Sequence, residues 1–203
     1  MSTALFLLLS GAANAFGGLR TDGVQPGPGQ AEGEFVLMYR HNTHDDLNVM
    51  AEGLQVGVGL PVGELMGTVL MEPGGAVVGQ ARVLFPVLGS RESPFLSLYG
   101  GADLAPRAEL LQQPADWWVE AGAIMGLNLP LALRLYGGLG ADWAPSVEWR
   151  QIGLDPVIGA SWRPPFGRNV TGVFALEAVG HTDFTDASIG PNLVIGLAGR
   201  GGS

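Results

Sequence analysis

Between Trp117 and Trp143 the chain alternates with period two. Trp117, Val119, Ala121, Ala123, Met125, Leu127 and Leu129 are apolar, while Trp118, Glu120, Gly122, Ile124, Gly126 and Asn128 between them are mostly small or polar. After a break at Asn128-Leu129-Pro130 the pattern restarts. Leu131, Leu133, Leu135, Gly137, Leu139, Ala141 and Trp143 are then set against Ala132, Arg134, Tyr136, Gly138, Gly140 and Asp142. Successive side chains of a strand point to opposite faces, so this stretch predicts a β-hairpin with one oily face and one small, polar face. Each arm holds about ten or more alternating residues, the length at which a tilted strand crosses a bilayer.

The same alternation recurs on either side. It predicts strands over Glu34 to His41, Leu47 to Leu60, Glu64 to Met71, Val77 to Val87, Leu96 to Leu104, Trp149 to Trp162, Thr171 to Ala178 and Ala187 to Gly199. Within Leu47 to Leu60 the phase shifts near Glu52-Gly53, which predicts a bulge at a rim. About ten strands joined by hairpin-length connections make an all-β, antiparallel up-and-down plan, with eight strands as the alternative count. A sheet of this size hides its edges by closing into a barrel.

The connections fall into two alternating sets. One contains Pro61 to Gly63, Gly89 to Pro94, Asn128 to Pro130 and Arg163 to Arg168. The other contains His41 to Asp46, Glu72 to Gly75, Pro106 to Asp116, Pro145-Ser146 and His181 to Asp186; it is the more acidic and is assigned to the cell exterior. Trp117, Trp143 and Trp149 fall at the exterior strand ends, and Trp162, Phe85, Phe95 and Phe35 at the opposite ends. Two aromatic belts bordering an aliphatic band are the expected membrane girdles.

Composition narrows the choice. Charged residues make up 14% of the chain and the formal net charge is −9; all ten cations are Arg and there is no Cys. An acidic chain with scattered Arg is a poor match for nucleic acid, which requires a basic patch. Ala4 to Leu9 is a short apolar run followed by Ala13-Asn14-Ala15, an A-x-A cleavage pattern. The expected organisation is a signal peptide over 1–15, a Gly- and Pro-rich linker over 16–33, a barrel over 34–199 and a tail over 200–203. No other apolar run reaches the ~18 residues of a transmembrane helix.

Signal segment, alternating strands such as Leu131 to Trp143 and aromatic girdles together resemble the small bacterial outer-membrane β-barrel proteins, over about Glu34 to Gly199. The resemblance is one of architecture. It implies a bacterial outer-membrane location, with outer-membrane lipid, lipopolysaccharide and envelope proteins as partners. The chain departs from that family in ending Gly199-Arg200-Gly201-Gly202-Ser203, where an aromatic residue is usual.

With the oily faces on lipid, the lumen holds Arg82, Glu120, Arg134, Tyr136, Asp155 and Glu177, with Gln80, Tyr99 and Asn192. A charge on the lipid face at mid-depth costs about 2–4 kcal/mol, so confinement to one face is expected. Small barrels are normally filled by side chains, so the expected lumen is plugged by an ion-pair and hydrogen-bond network; a narrow polar conduit is the alternative, kept open by inward glycines (Gly122, Gly126, Gly138, Gly140, Gly153) that leave room for water. All three histidines, His41, His44 and His181, fall at the exterior ends beside Asp45, Asp46, Asp183 and Asp186. These are candidate ligands for a divalent cation or a base-and-orienter pair; as a bland alternative they form a solvated acidic rim.

Some outer-membrane barrels are rim proteases or lipid A deacylases. His41-Asn42-Thr43-His44 is similar to the deacylase pattern His-x-Ser-Asn, with Thr43 in place of Ser and His44 in place of Asn. No G-x-S-x-G, H-E-x-x-H or phosphate loop is present. The expected function is a structural or docking barrel without cofactor or catalysis. The alternatives are a narrow porin-like channel and a surface hydrolase.

Overall fold

The computed structural model describes residues 34–43, 50–71, 77–88, 93–104, 117–144, 152–182 and 187–200. Ten strands form: β1 (Glu34–Thr43), β2 (Met50–Leu60), β3 (Gly63–Met71), β4 (Val77–Leu88), β5 (Phe95–Leu104), β6 (Trp117–Leu129), β7 (Leu133–Trp143), β8 (Gly153–Trp162), β9 (Val170–Thr182) and β10 (Ala187–Arg200). Each pairs antiparallel with its chain neighbours, and β1 closes the barrel on β10, with Phe35 opposite Gly199 and His41 opposite Leu193. Closure leaves no unpaired sheet edge, which is what a β-structure in hydrocarbon requires. No described helix is long and apolar enough to cross a membrane, and the crossing elements are the strands.

Alternation sorts the faces as the pattern predicts. Leu133, Leu135 and Leu139 are exposed on the outer wall, while Arg134 and Tyr136 between them are buried inside. The outer wall carries Leu54, Val56, Leu98, Met125, Ile158, Leu176 and Leu197, all exposed. Among described outward positions the one carboxylate is Glu52, close to the end of β2, and its Oε1 is 3.9 Å from His41 Nδ1. That pair explains the apparent phase shift in β2. Register through Glu52↔Met71 and Gly53↔Leu70 is unbroken, so the expected bulge is absent there. At the strand end an outward residue meets the polar interface rather than hydrocarbon, and polarity no longer marks the face. The register shift lies instead between Pro86 and Leu88, where proline cannot donate to the ladder.

One barrel end gathers the tight turns, and β7 begins there at Leu133 rather than at Leu131. Pro130–Ala132 forms a single 3₁₀ turn, with Leu131 and Ala132 at φ 62° and 60°. This left-handed backbone is held from two sides. Arg163 N donates to Ala132 O at 3.0 Å, and Trp162 Nε1 donates to Leu131 O at 3.1 Å. The connections 44–49, 72–76, 105–116, 145–151 and 183–186, which join strands at the opposite end (here the loop end), lie outside the described residues.

Candidate functional site

The site to be judged is the lumen, and its two halves differ. Toward the tight turns it is largely apolar, with buried Glu34, Glu64 and Arg134 set among the apolar side chains. Val36, Met38, Val173, Ala175, Val194 and Ala198 pack in one cluster, and Met66, Leu84, Phe95, Tyr99, Ile124 and Tyr136 in another. The polar lumen expected from sequence is therefore only half of it. The apolar half was written as unbroken runs, such as Phe35 to Tyr39, Val83 to Phe85 and Val173 to Ala175. Runs of this kind mark strands apolar on both faces. Phe95 belongs inside for the same reason; it is 1% exposed, not part of a girdle.

Toward the loop end many inward residues are polar or charged, although Leu70 and Val78 are buried there too. Arg82 binds Glu120 as a fork, Nε to Oε1 at 2.7 Å and Nη2 to Oε2 at 2.6 Å, and both side chains are buried. Gln80 Nε2 donates to the same Oε1 at 3.0 Å, and the Arg82 guanidinium lies 4.5 Å from the Tyr99 ring centroid. A second network surrounds Glu177. Tyr136 donates to its Oε1 at 2.5 Å, Asn192 to its Oε2 at 3.5 Å, and Arg40 Nη2 lies 4.0 Å from Oε2. Arg40 also donates to Gln55 Oε1 at 3.3 Å. Two charges removed from water stay stable only when the geometry is good and the remaining donors are met, and the Arg82–Glu120 fork has that geometry.

Arg134 stands apart, near the tight turns. Its Nε donates to Asn128 Oδ1 at 2.6 Å and its guanidinium lies 4.9 Å from the Phe95 ring centroid. His181 Nδ1 lies 2.8 Å from Asp155 Oδ1 and donates to it in the tautomer that carries the proton on Nδ1. His181 is thus not in a loop. β9 runs on to Thr182, and Ser188 pairs with His181. It faces inward and is buried, whereas His41 is half-buried beside exposed Glu52 on the outer wall. The strand wall separates these two members of the expected rim group; His44, Asp45, Asp46 and Asp183 lie outside the described residues. Trp117 and Trp162 are exposed at opposite ends of the outer wall and Trp143 is half-buried there, while Trp149 is outside the described residues.

Sequence reasoning missed Arg40, Asp142 and Trp118 as site members. The signal was available: counting in twos from Glu34 reaches Arg40, and counting from Arg134 reaches Asp142.

The inward glycines do not line open space. A Cβ on Gly122 would meet the Tyr99 ring at 2.5 Å, and one on Gly140 the Tyr99 hydroxyl at 2.2 Å. At Gly159 it would meet Tyr136 at 2.8 Å, at Gly126 the Phe95 ring at 2.8 Å and at Gly196 Met38 Cγ at 2.5 Å. Each has a bulky side chain close against it, from the next strand or, at Gly140, from two strands away. That overturns the expectation that they leave room for water.

No family model matches the chain, and no curated protein matches it in sequence. Among solved structures it is similar to a KdgM porin in complex with disordered oligogalacturonate, at 11% identity and TM-score 0.46, covering 82% of this chain and 99% of that one. It is similar to a de novo designed transmembrane β-barrel at 11% identity and TM-score 0.36, covering 85% of this chain and 99% of that one. A third is the outer-membrane protein OprG from Pseudomonas aeruginosa, at 11% identity and TM-score 0.26, covering 87% of this chain and all of that one. The chain's own strands, closure and oily outer wall make it a ten-stranded barrel of the outer-membrane kind.

Proposed function

We propose that this chain is a closed outer-membrane barrel with a structural or docking role in the bacterial envelope. The supporting observation is that Tyr99, Tyr136, Phe95 and Met38 lie against inward glycines and put side-chain bulk into the bore. Small barrels filled in this way are packed cores, not pores. Lipopolysaccharide and envelope proteins are its proposed partners, met by the acidic connections at the loop end. Planar-bilayer recording of the purified, refolded chain is expected to show no steady conductance, and ohmic current steps at neutral pH would defeat the closed reading. Heat-modifiable migration after outer-membrane fractionation tests the location.

A second reading is a narrow porin-like channel. It is favoured by the charged half of the lumen, where Arg82–Glu120 and Arg40–Glu177 would line an aqueous path. Under that reading wild type conducts, and reversing Glu120 to Arg changes ion selectivity. The surface-hydrolase reading has its test in replacing His41, His44 and His181 together, with envelope lipid chemistry and peptide cleavage as readouts.

A further inference from the structure

We propose that Asp142, Asp155 and His181 form a divalent transition-metal site inside the lumen near the loop end. The three come from adjacent strands β7, β8 and β9, and each is buried. One donor atom from each lies within 4.8 Å of the others. The donor set is an imidazole with two carboxylates. Nitrogen and oxygen donors in this mixture suit Zn²⁺, Co²⁺ or Mn²⁺ and disfavour ions that need thiolate.

Two further observations point to a ligand there. First, the floor of the cluster is Gly153, in register with Asp142. A Cβ at Gly153 would stand 2.1 Å from Asp142 Oδ1 and 2.4 Å from His181 Cε1, so these two groups converge over a residue that has no side chain. Second, Trp118 is 5% exposed and turned into the same end of the lumen, and its indole N–H has no hydrogen-bond partner among the described residues. It stands one inward step beyond Glu120, whose register partner is Asp142. An indole N–H is a donor only, so it calls for an acceptor at this end of the lumen. His181 Nδ1 lies 2.8 Å from Asp155 Oδ1, so the imidazole and one of the carboxylates already stand side by side. His41 is on the other side of the wall and takes no part.

The test uses the full refolded chain in detergent micelles and Zn²⁺ alone. Titration calorimetry is expected to give one Zn²⁺ per chain, and His181→Gln and Asp142→Asn each to weaken binding about ten-fold or more. His41→Gln and His44→Gln are expected to leave it unchanged. Heat-modifiable migration checks that each variant is folded. Should a variant fail to fold, X-ray absorption of zinc-loaded wild type decides: one imidazole in an oxygen shell supports the site, and several imidazoles overturn it. Absence of stoichiometric Zn²⁺ binding by folded wild type, or unchanged binding in both His181→Gln and Asp142→Asn, also overturns it.

Discussion

Gly140 offers a clean test of whether the bore is filled. In the structure a Cβ at this position would meet the Tyr99 hydroxyl at 2.2 Å, then Tyr99 Cζ at 3.4 Å and Asp155 Cβ at 3.6 Å. One oxygen atom is therefore the whole obstruction. Gly140→Ala forces the Tyr99 ring off its seat between Gly140 and Gly122 and away from the Arg82 guanidinium at 4.5 Å. Inserting a methyl into a packed interior costs about 1–3 kcal/mol. Tyr99→Phe alone removes one hydroxyl and its hydrogen bonding, about 1 kcal/mol. The double variant keeps the ring and lets the new methyl occupy the oxygen's place, so the two costs do not add. The expected coupling is about 1–2 kcal/mol in favour of the pair, within the range for residues in contact. Urea titration of the barrel in lipid vesicles, followed by tryptophan fluorescence and by heat-modifiable migration, measures all four corners of the cycle. In a water-filled bore the sign reverses, because alanine in a strand is favoured over glycine by roughly 0.5–1 kcal/mol. A neutral or stabilising Gly140→Ala, or strict additivity with Tyr99→Phe, refutes the filled lumen.

Other outcomes follow from the same geometry. Glu120→Gln leaves the buried Arg82 guanidinium facing a neutral amide, and the unfolding free energy from urea titration should fall by about 3–5 kcal/mol, far more than for Asn192→Ala at the edge of the Glu177 network. Leu135→Arg puts a charge on the outer wall and should lower stability by about 2–4 kcal/mol, whereas an arginine at Glu52 near the strand end should cost about 0–1 kcal/mol, both read by urea titration in vesicles. Trimming the seated side chains together, as Tyr99→Gly with Tyr136→Gly, should create current steps in planar bilayers where wild type has none. Trp162→Phe removes the donor to Leu131 O; faster proteolytic nicking at Leu131 is expected, and unchanged nicking would show that the Arg163 bond to Ala132 suffices.

The outer wall was legible because hydrocarbon imposes one rule at every other position. Leu133, Leu135 and Leu139 could face nothing else, and strand count and closure came with them. The interior was less legible, because its residues answer to one another across strands. Glycine in a strand reads as empty space until its partner is known, and Gly140 gained its meaning only from Tyr99, on a strand two places away in the barrel. His181 was misplaced for a similar reason. A His-Thr-Asp sequence looks like a loop, yet cross-strand pairing with Ser188 carries β9 past it and turns the imidazole inward. Ion partners were equally hidden: Arg82 and Glu120 are 38 residues apart in sequence and meet only because β5 lies between their strands.

The division of labour between the two faces bears on function. Lipid tails are as apolar as leucine, so the oily wall fixes the barrel's place in the membrane but does little to hold its strands together. Cohesion has to come from the backbone ladder and from the interior. That accounts for an apolar cluster inside a membrane barrel, where a pore would need none, and for tyrosines seated on glycines of neighbouring strands. Opening the bore would give up those contacts and hydrate two buried ion networks at once. Near the loop end Asp142, Asp155 and His181, on three adjacent strands, add a cross-strand polar contact to that interior cohesion.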